Sequence, residues 1–365
     1  MDPRISKLAQ ILVHYSLELK PDQQFAIRST PLAEELVLAV YQEAIQAGAH
    51  VFLRLDLPGA EEIFYKHASD KQLDYISPVR KLIAENFDAT LYIGAEYNTR
   101  SLSNINPDRL ARVHKAAAPL SKLIDERAAR DELHWCYTIF PTQARAMEAE
   151  MDLVEYQDFV YAAGLLNQPD PVALWQEQGQ RQDKLVSWLA GRDQVHIQGA
   201  DIDLSLSIKG RTFVSAAGKV NFPDGELFTG PVETSANGWV RYHYPAIYAG
   251  REVIDIELWF EDGKVIKEKA SKGQDFLTSL LDTDAGSRYL GEWGIGTNYA
   301  IQRFTKNMLF DEKIGGTIHF AVGSGYPETG SQNDSGLHWD MLCDMAESEV
   351  IIDGDLFYKD GKPVI

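Results

Sequence analysis

At 365 residues the chain is about twice the length of a typical domain, and its apolar and charged fractions are those of a protein able to bury large cores. Its 54 acidic against 35 basic residues give a net charge of −19. No Lys/Arg cluster offsets that field, which argues against nucleic acid and anionic membrane surfaces as partners and suits a cationic group or a bound cation. Two cysteines, Cys136 and Cys343, do not make a disulfide scaffold and read as small buried hydrophobes. The opening residues lack the basic start and unbroken apolar run of a signal peptide, and no later segment is long and apolar enough to span a membrane. A cytoplasmic protein is expected.

In chain order, Ile5–Leu19 carries apolar residues at helical spacing. Strands are expected at Gln24–Arg28, His50–Leu55, Ala89–Gly94 and Leu133–Phe140. Helices are expected at Pro31–Ala47, around Ile76–Asn86, and at Pro107–Ala118, stopping before Pro119. Strands alternating with helices predict crossover units, hence an α/β domain with a mostly parallel sheet. No glycine-rich phosphate loop follows any of these strands, so nucleotide binding has no support. Asp152–Leu165 and Pro171–Leu189 read as helices. Beyond them come short β-rich runs at Gln194–Ile197, Ile202–Ile208, Trp239–Tyr244, Val253–Phe260 and Lys264–Lys269, with hairpin turns expected at Lys209-Gly210 and Asp262-Gly263. One helix is expected around Gln274–Leu281. The boundary is placed near residue 190, giving an α/β domain over 1–190 and an α+β, mainly antiparallel, metal-binding domain over 191–365.

The candidate chemistry concentrates late in the chain. Thr317–Val322 reads as a strand built around His319, and Tyr326 follows seven residues after that histidine. In extended backbone, residues two apart share a face, so His338 and Asp340 project together and Trp339 points the other way. Glu226 follows a Pro-Asp-Gly turn, Glu292 sits between Gly291 and Trp293, and Glu312 follows Phe-Asp. A carboxylate wedged among Gly, Trp and Leu is costly to bury unless it is paired or metal-bound. Alone, each acid reads as a solvated turn residue and His319 as a core histidine. Together they form the complement of a pair of divalent ions sharing a carboxylate.

The ordered segments P-D-G-E-L-F-T, R-Y-L-G-E, N-x-L-F-D-E, H-F-A-V-G-x-G-Y and L-H-W-D resemble the thermophilic-type metallo-aminopeptidases (aminopeptidase T and its relatives, peptidase family M29). The resemblance covers most of the chain. It implies that Glu226, Glu292, Glu312, His319, His338 and Asp340 are metal ligands and that Tyr326 stands beside the scissile carbonyl. The spacing from Glu312 to His319 is slightly wider than in the family pattern. Two divalent ions (Zn, Co or Mn), short peptides with a free N-terminus as substrates, and a homodimer are implied in the same way.

The mechanism expected from this is attack of a metal-bridging hydroxide on the scissile carbonyl, with Glu292 as the shared, catalytic carboxylate and Tyr326 donating to the oxyanion. Glu233 and Glu257 are possible partners for the substrate ammonium, more readily read as surface acids, and His243 reads as structural. Two alternatives stand beside this reading. One is another dinuclear-metal amide or ester hydrolase. The other is a non-catalytic two-domain protein binding a ligand without metal.

Overall fold

The computed structural model describes residues 2–365. Four strands of the first half, β1 (Gln24–Ser29), β2 (His50–Leu55), β3 (Ala89–Gly94) and β4 (His134–Ile139), pair in the order β2-β1-β3-β4, every pair parallel. The two-residue strand Asn221–Phe222 adds a fifth, parallel to β4. The joining segments contain helices, as parallel pairing requires. Phe25, Ile27, Leu91 and Ile93 are buried on one face of this sheet, while Ala26, Arg28, Thr90 and Tyr92 alternate onto the other.

Helix Pro107–Ala129 runs through Pro119 instead of stopping before it. Proline at that point removes one backbone hydrogen bond, but Leu120, Leu123 and Ile124 continue the apolar stripe beyond it. Arg127 then ties the last turns to the carbonyls of Ala84 and Phe87.

The chain divides into two compact units. One runs to Val172 and takes in Gly218–Pro223; the other comprises Ala173–Ala217 and Asp224–Ile365. The paired strands of the second unit are all antiparallel. Its larger sheet has eight strands, and a five-stranded sheet contains β5 (Glu226–Thr229), β6 (Leu290–Gly296), β7 (Thr317–Gly323) and β8 (His338–Asp344), in the order β8-β7-β6-β5 with Val214–Ala216 outermost. One apolar cluster draws on both sheets, from Val195, Leu204 and Leu258 to Trp293, Ile318 and Phe320.

Asp262-Gly263 forms a hairpin turn with both residues at positive φ, as expected. Lys209-Gly210 does not. The strand before it pairs with Gln194–Gly199 and Asn237–Arg241, and the strand after it joins the other sheet, so that turn is a passage between sheets. The run Val253–Phe260 is interrupted at Asp255, whose φ of 53° breaks the extended backbone.

Candidate metal centre

The five-stranded sheet sorts its side chains by face. Cross-strand rows Leu227–Ile295–Ile318–Cys343 and Leu290–Val322–Trp339 enter the core. The opposite face carries Glu226 on β5, Glu292 on β6, His319 on β7, and His338 and Asp340 on β8. Glu292, Ala321 and Asp340 are neighbours in one row. Two-residue periodicity on four adjacent strands therefore gathers five polar side chains from over a hundred residues of sequence.

Strict alternation would put Leu290 on the polar face with Glu292. A β-bulge between them shifts the register, so that Leu290 opposes Val322 in the core and Glu292 opposes Ala321. The bulge needs glycine at 291, where a Cβ would meet the Ser324 carbonyl oxygen at 2.2 Å. Gly294 has a different role: it opposes His319, and a Cβ there would lie 2.0 Å from Nε2. The imidazole lies across the glycine.

Two groups of potential ligand atoms result, Glu226–Glu292–His319 and Glu292–His338–Asp340, with the atoms of each within 4.8 Å of one another. His319 Nε2 is 3.2 Å from Glu292 Oε1 and 3.5 Å from Glu226 Oε2. His338 Nε2 is 3.4 Å from Glu292 Oε2 and 3.6 Å from Asp340 Oδ2. Glu292 thus gives one oxygen to each group. His338 Nδ1 lies 2.7 Å from the Ser324 carbonyl oxygen, to which it donates, so that Nε2 is the nitrogen turned inward, the orientation seen around ligating histidines.

The donor set fits cations. Glu226 Oε2 and Asp340 Oδ1 are buried and accept no hydrogen bond. Burial, reinforced by neighbouring carboxylates, raises the Glu226 carboxyl well above its ordinary range and holds Asp340 at about 6. For the histidines burial acts downward, but the hydrogen bond to Glu292 and the surrounding acids outweigh it, pushing His319 to about 9 and His338 to about 10. Buried acids that draw protons onto imidazoles form a site short of positive charge, and carboxylates with imidazoles suit borderline divalent ions.

Glu312 stands apart from both groups: its Oε1 contacts Lys313 Nζ. Lys313 is completely buried, and its ammonium lies 3.2 Å from Glu226 Oε1. In sequence this lysine gives no sign of its burial, because D-E-K has the composition of a solvated run. The turn Asn307–Asp311, whose Asp311 carboxylate accepts from Thr305 N, Thr305 Oγ1 and Asn307 N, is what carries it inward. Removing one partner of a buried ion pair is strongly destabilising. Lys313→Met should cost the metal-free protein about 3–5 kcal/mol in denaturant unfolding, and a loss below about 1 kcal/mol would remove the lysine from this role.

Tyr326 begins a short 3₁₀ turn after β7, its ring 5.2 Å from that of His338 and 5.3 Å from Phe228. Its loop is pinned on both sides. Arg211 contacts the Gly330 carbonyl and pairs with Glu233, which accepts from Gln332 N. Asn333 donates to the carbonyls of Gly286 and Gly323. Glu233 and Glu257 are both in ion pairs, with Arg211 and with Arg241 and Lys269, and His243 pairs with Asp201.

Asp284 closes the loop just before His338, accepting from Gly336 N, Ser335 Oγ, Ser287 Oγ and Gly286 N. Burial works to raise its pKa, but those hydrogen bonds prevail and hold it at about 2. A folded-state value below the ordinary 3.8 contributes stability above that pH, lost as the pH falls towards 2. Asp284→Asn should therefore melt below the native protein at pH 7, the gap closing between about pH 4 and pH 2. A gap independent of pH would contradict the assignment.

A family model described as thermophilic metalloprotease (M29) matches residues 1–363. Aminopeptidase 2 of Geobacillus stearothermophilus is 27% identical over 402 aligned positions, covering 99% of this chain and 95% of that protein. Aminopeptidase T of Thermus thermophilus is 25% identical, covering 98% and 95%. Among solved structures, wild-type AmpT from Thermus thermophilus superposes with a TM-score of 0.86 at 23% identity, over 100% of this chain and 99% of that one. A 2,5-dihydroxypyridine dioxygenase from Pseudomonas putida KT2440 shares the fold with a TM-score of 0.64 at 14% identity, over 100% of this chain and 98% of that one.

Proposed function

This chain belongs to the thermophilic metalloprotease family M29, and we propose that it is a metal-dependent aminopeptidase removing N-terminal residues from short peptides. The observation that carries this is Glu292, whose two oxygens face two separate ligand groups on one sheet face. Glu226 and His319 would hold one divalent ion and His338 and Asp340 a second, with Glu292 available to each. Zinc, cobalt or manganese suits this donor set. The chemistry supplied there would be polarisation of a carbonyl and a bound water with its pKa lowered to about 7.

The remaining work falls to side chains. Tyr326 stands at the rim of the polar face. Burial, then the charges of Glu292 and Asp340, raise its pKa far above the ordinary phenol, so the O–H stays protonated as a donor to the oxyanion of the tetrahedral intermediate. Phe228 and His338 against its ring restrict where that donor points. Lys313 neutralises Glu226 on the side turned from His319, and Glu312 and Asp224 are the other acids near that ammonium. Metal stoichiometry of Glu312→Gln separates this part from direct ligation: an ion lost makes it a ligand.

The second unit is the catalytic one in this reading, and a homodimer is proposed by analogy with the family. Among the described residues no helix is long and apolar enough to cross a membrane, and the two buried cysteines suit a reducing cytoplasm. The curated relatives named above give no support to a non-catalytic binding protein or to a different dinuclear hydrolase.

Exhaustive chelation should abolish hydrolysis of aminoacyl substrates, and Co²⁺, Zn²⁺ or Mn²⁺ should restore it. The N-acetylated counterparts should be turned over at least about tenfold more slowly, the loss of one charged anchoring contact. Activity that survives chelation would end the metal reading, and equal rates on blocked substrates would end the aminopeptidase reading alone.

A further inference from the structure

The first unit has a feature that the metal chemistry does not use. A parallel sheet is ordinarily covered on both faces. Here the face bearing Ala26, Phe52, Thr90 and Trp135 in one row, and Arg28, Arg54, Tyr92 and Tyr137 in the next, is only partly covered. Phe52 is 39% exposed and Tyr92 40%. Helix Pro107–Ala129 buries none of its residues fully. Between the sheet and helices Pro78–Asn86 and Pro107–Ala129 lies a cavity of about 650 Å³, walled also by Ile83, Leu120 and Ile124. That volume is in the range of small-molecule sites.

The lining is chemically divided. Towards the N-terminal ends of the strands it is apolar and aromatic; towards their C-terminal ends stand three guanidinium groups, Arg28, Arg54 and Arg80. Arg28 and Arg54 share a single carboxylate, Asp56, at 2.6 and 2.9 Å. Arg80 has no hydrogen-bond or ion-pair partner among the described residues. Of the other acids whose fields reach Tyr92, Glu96 is held by both arms of Arg145, leaving Glu61. A surplus of positive charge thus stands in a chain whose net charge is −19. Partial burial, then the charges of Arg28 and Arg54, lower the Arg80 pKa, in keeping with a third cation that faces this pair and has no ion-pair partner of its own.

Its position in the topology points the same way. The chain leaves β1 for β2 on one side and returns to β3 on the other, so the strand order reverses between β1 and β3. Open α/β sheets bind ligands at the carboxyl ends of the strands beside such a reversal. Arg28 and Tyr92 are register partners across it, with the guanidinium 5.1 Å from the ring centroid and Tyr92 stacked on Tyr137 at 5.4 Å. We propose that this cavity is a binding site for a small organic anion, a planar apolar body carrying a carboxylate or phosphate, the body seated against Phe52, Trp135 and Tyr137 and the anionic group on Arg28, Arg54 and Arg80. Guanidinium forks match both head groups, and the aromatic walls favour flat bodies.

The test is calorimetric titration of the full-length, metal-loaded protein with 2-naphthoate, 2-naphthyl phosphate and the uncharged 2-naphthylmethanol. At least one anion should bind, about tenfold or more tightly than the alcohol, the value of one charge-assisted contact. The tighter of the two identifies the head group. Arg80→Met and Arg54→Met should each weaken the anion about tenfold and leave the alcohol unchanged. Arg80→Met should melt with the native protein, since it removes no ion pair. His338→Ala, in the other unit, should bind the anion as the native chain does, which separates this cavity from anion capture by metal. Failure of both anions at millimolar concentration, equal binding of the alcohol, or indifference to the arginine substitutions would overturn the proposal.

Discussion

Glu292→Gln is expected to lower the turnover of an aminoacyl substrate at least about 10³-fold, or about 4 kcal/mol of transition-state stabilisation, and to leave no more than one tightly held ion. The reason is geometric. The carboxylate turns Oε1 to His319 and Oε2 to His338, so both ligand groups depend on it. Glutamine keeps the volume and one acceptor oxygen but replaces the other with an amide NH₂, which cannot ligate. Asp340→Asn touches one group only, and its loss in metal content should be confined to one ion. Metal analysis with kinetics on the purified variants would check this. A Glu292→Gln protein with full metal content and activity within tenfold of native would separate the shared carboxylate from the chemistry.

A second large effect should follow from adding one methyl group. Gly294→Ala places a Cβ 2.0 Å from His319 Nε2 and 2.1 Å from Cε1, and His319 is completely buried. Overpacking of this kind costs about 1–3 kcal/mol. A ligand shifted by an ångström can also remove about 10²-fold in rate. The control is a double-mutant cycle. In a His319→Ala background the obstructing ring is gone, so Gly294→Ala should be nearly neutral for stability, and the coupling should recover most of the single-variant cost. Thermal unfolding of the four proteins decides it. Additive effects would mean that the ring does not lie across the glycine.

These two residues show how differently the site could be read from the chain. Glu292 stood out as an acid between Gly and Trp, and the alternation His-Trp-Asp placed His338 and Asp340 on one face, which is how β8 presents them. Gly294 gave no sign, because its significance is a contact with a residue on the next strand, set by register. Lys313 was hidden by its neighbours: acid-acid-lysine reads as solvent-facing, and only the buried turn ahead of it sends the ammonium to Glu226. The bulge at Gly291 escaped for a related reason. A one-residue change of pairing is invisible in composition, yet it decides which of Leu290 and Glu292 enters the core.

At the level of fold, local periodicity sufficed where an element is long and amphipathic or short and uniformly apolar. The four parallel strands and helices Pro171–Leu189 and Gln274–Leu281 fall where the pattern put them. Pro119 misled because a single missing hydrogen bond is outweighed by an apolar stripe that continues past it. Lys209-Gly210 misled because a turn signal does not say which strands it joins.

By itself, then, the order of residues determined the two kinds of sheet, the absence of a nucleotide loop, the charge that favours cations, and the residue types able to ligate them. Those properties are short-range: they depend on alternation, turn chemistry and composition within a dozen residues. Only the tertiary structure decided which acids lie beside which histidines, that Glu292 divides its oxygens between two groups, that Lys313 is buried beside Glu226, and that three arginines face a cavity in the first unit. Each depends on register between strands distant in the chain, where a shift of one residue turns every side chain to the opposite face.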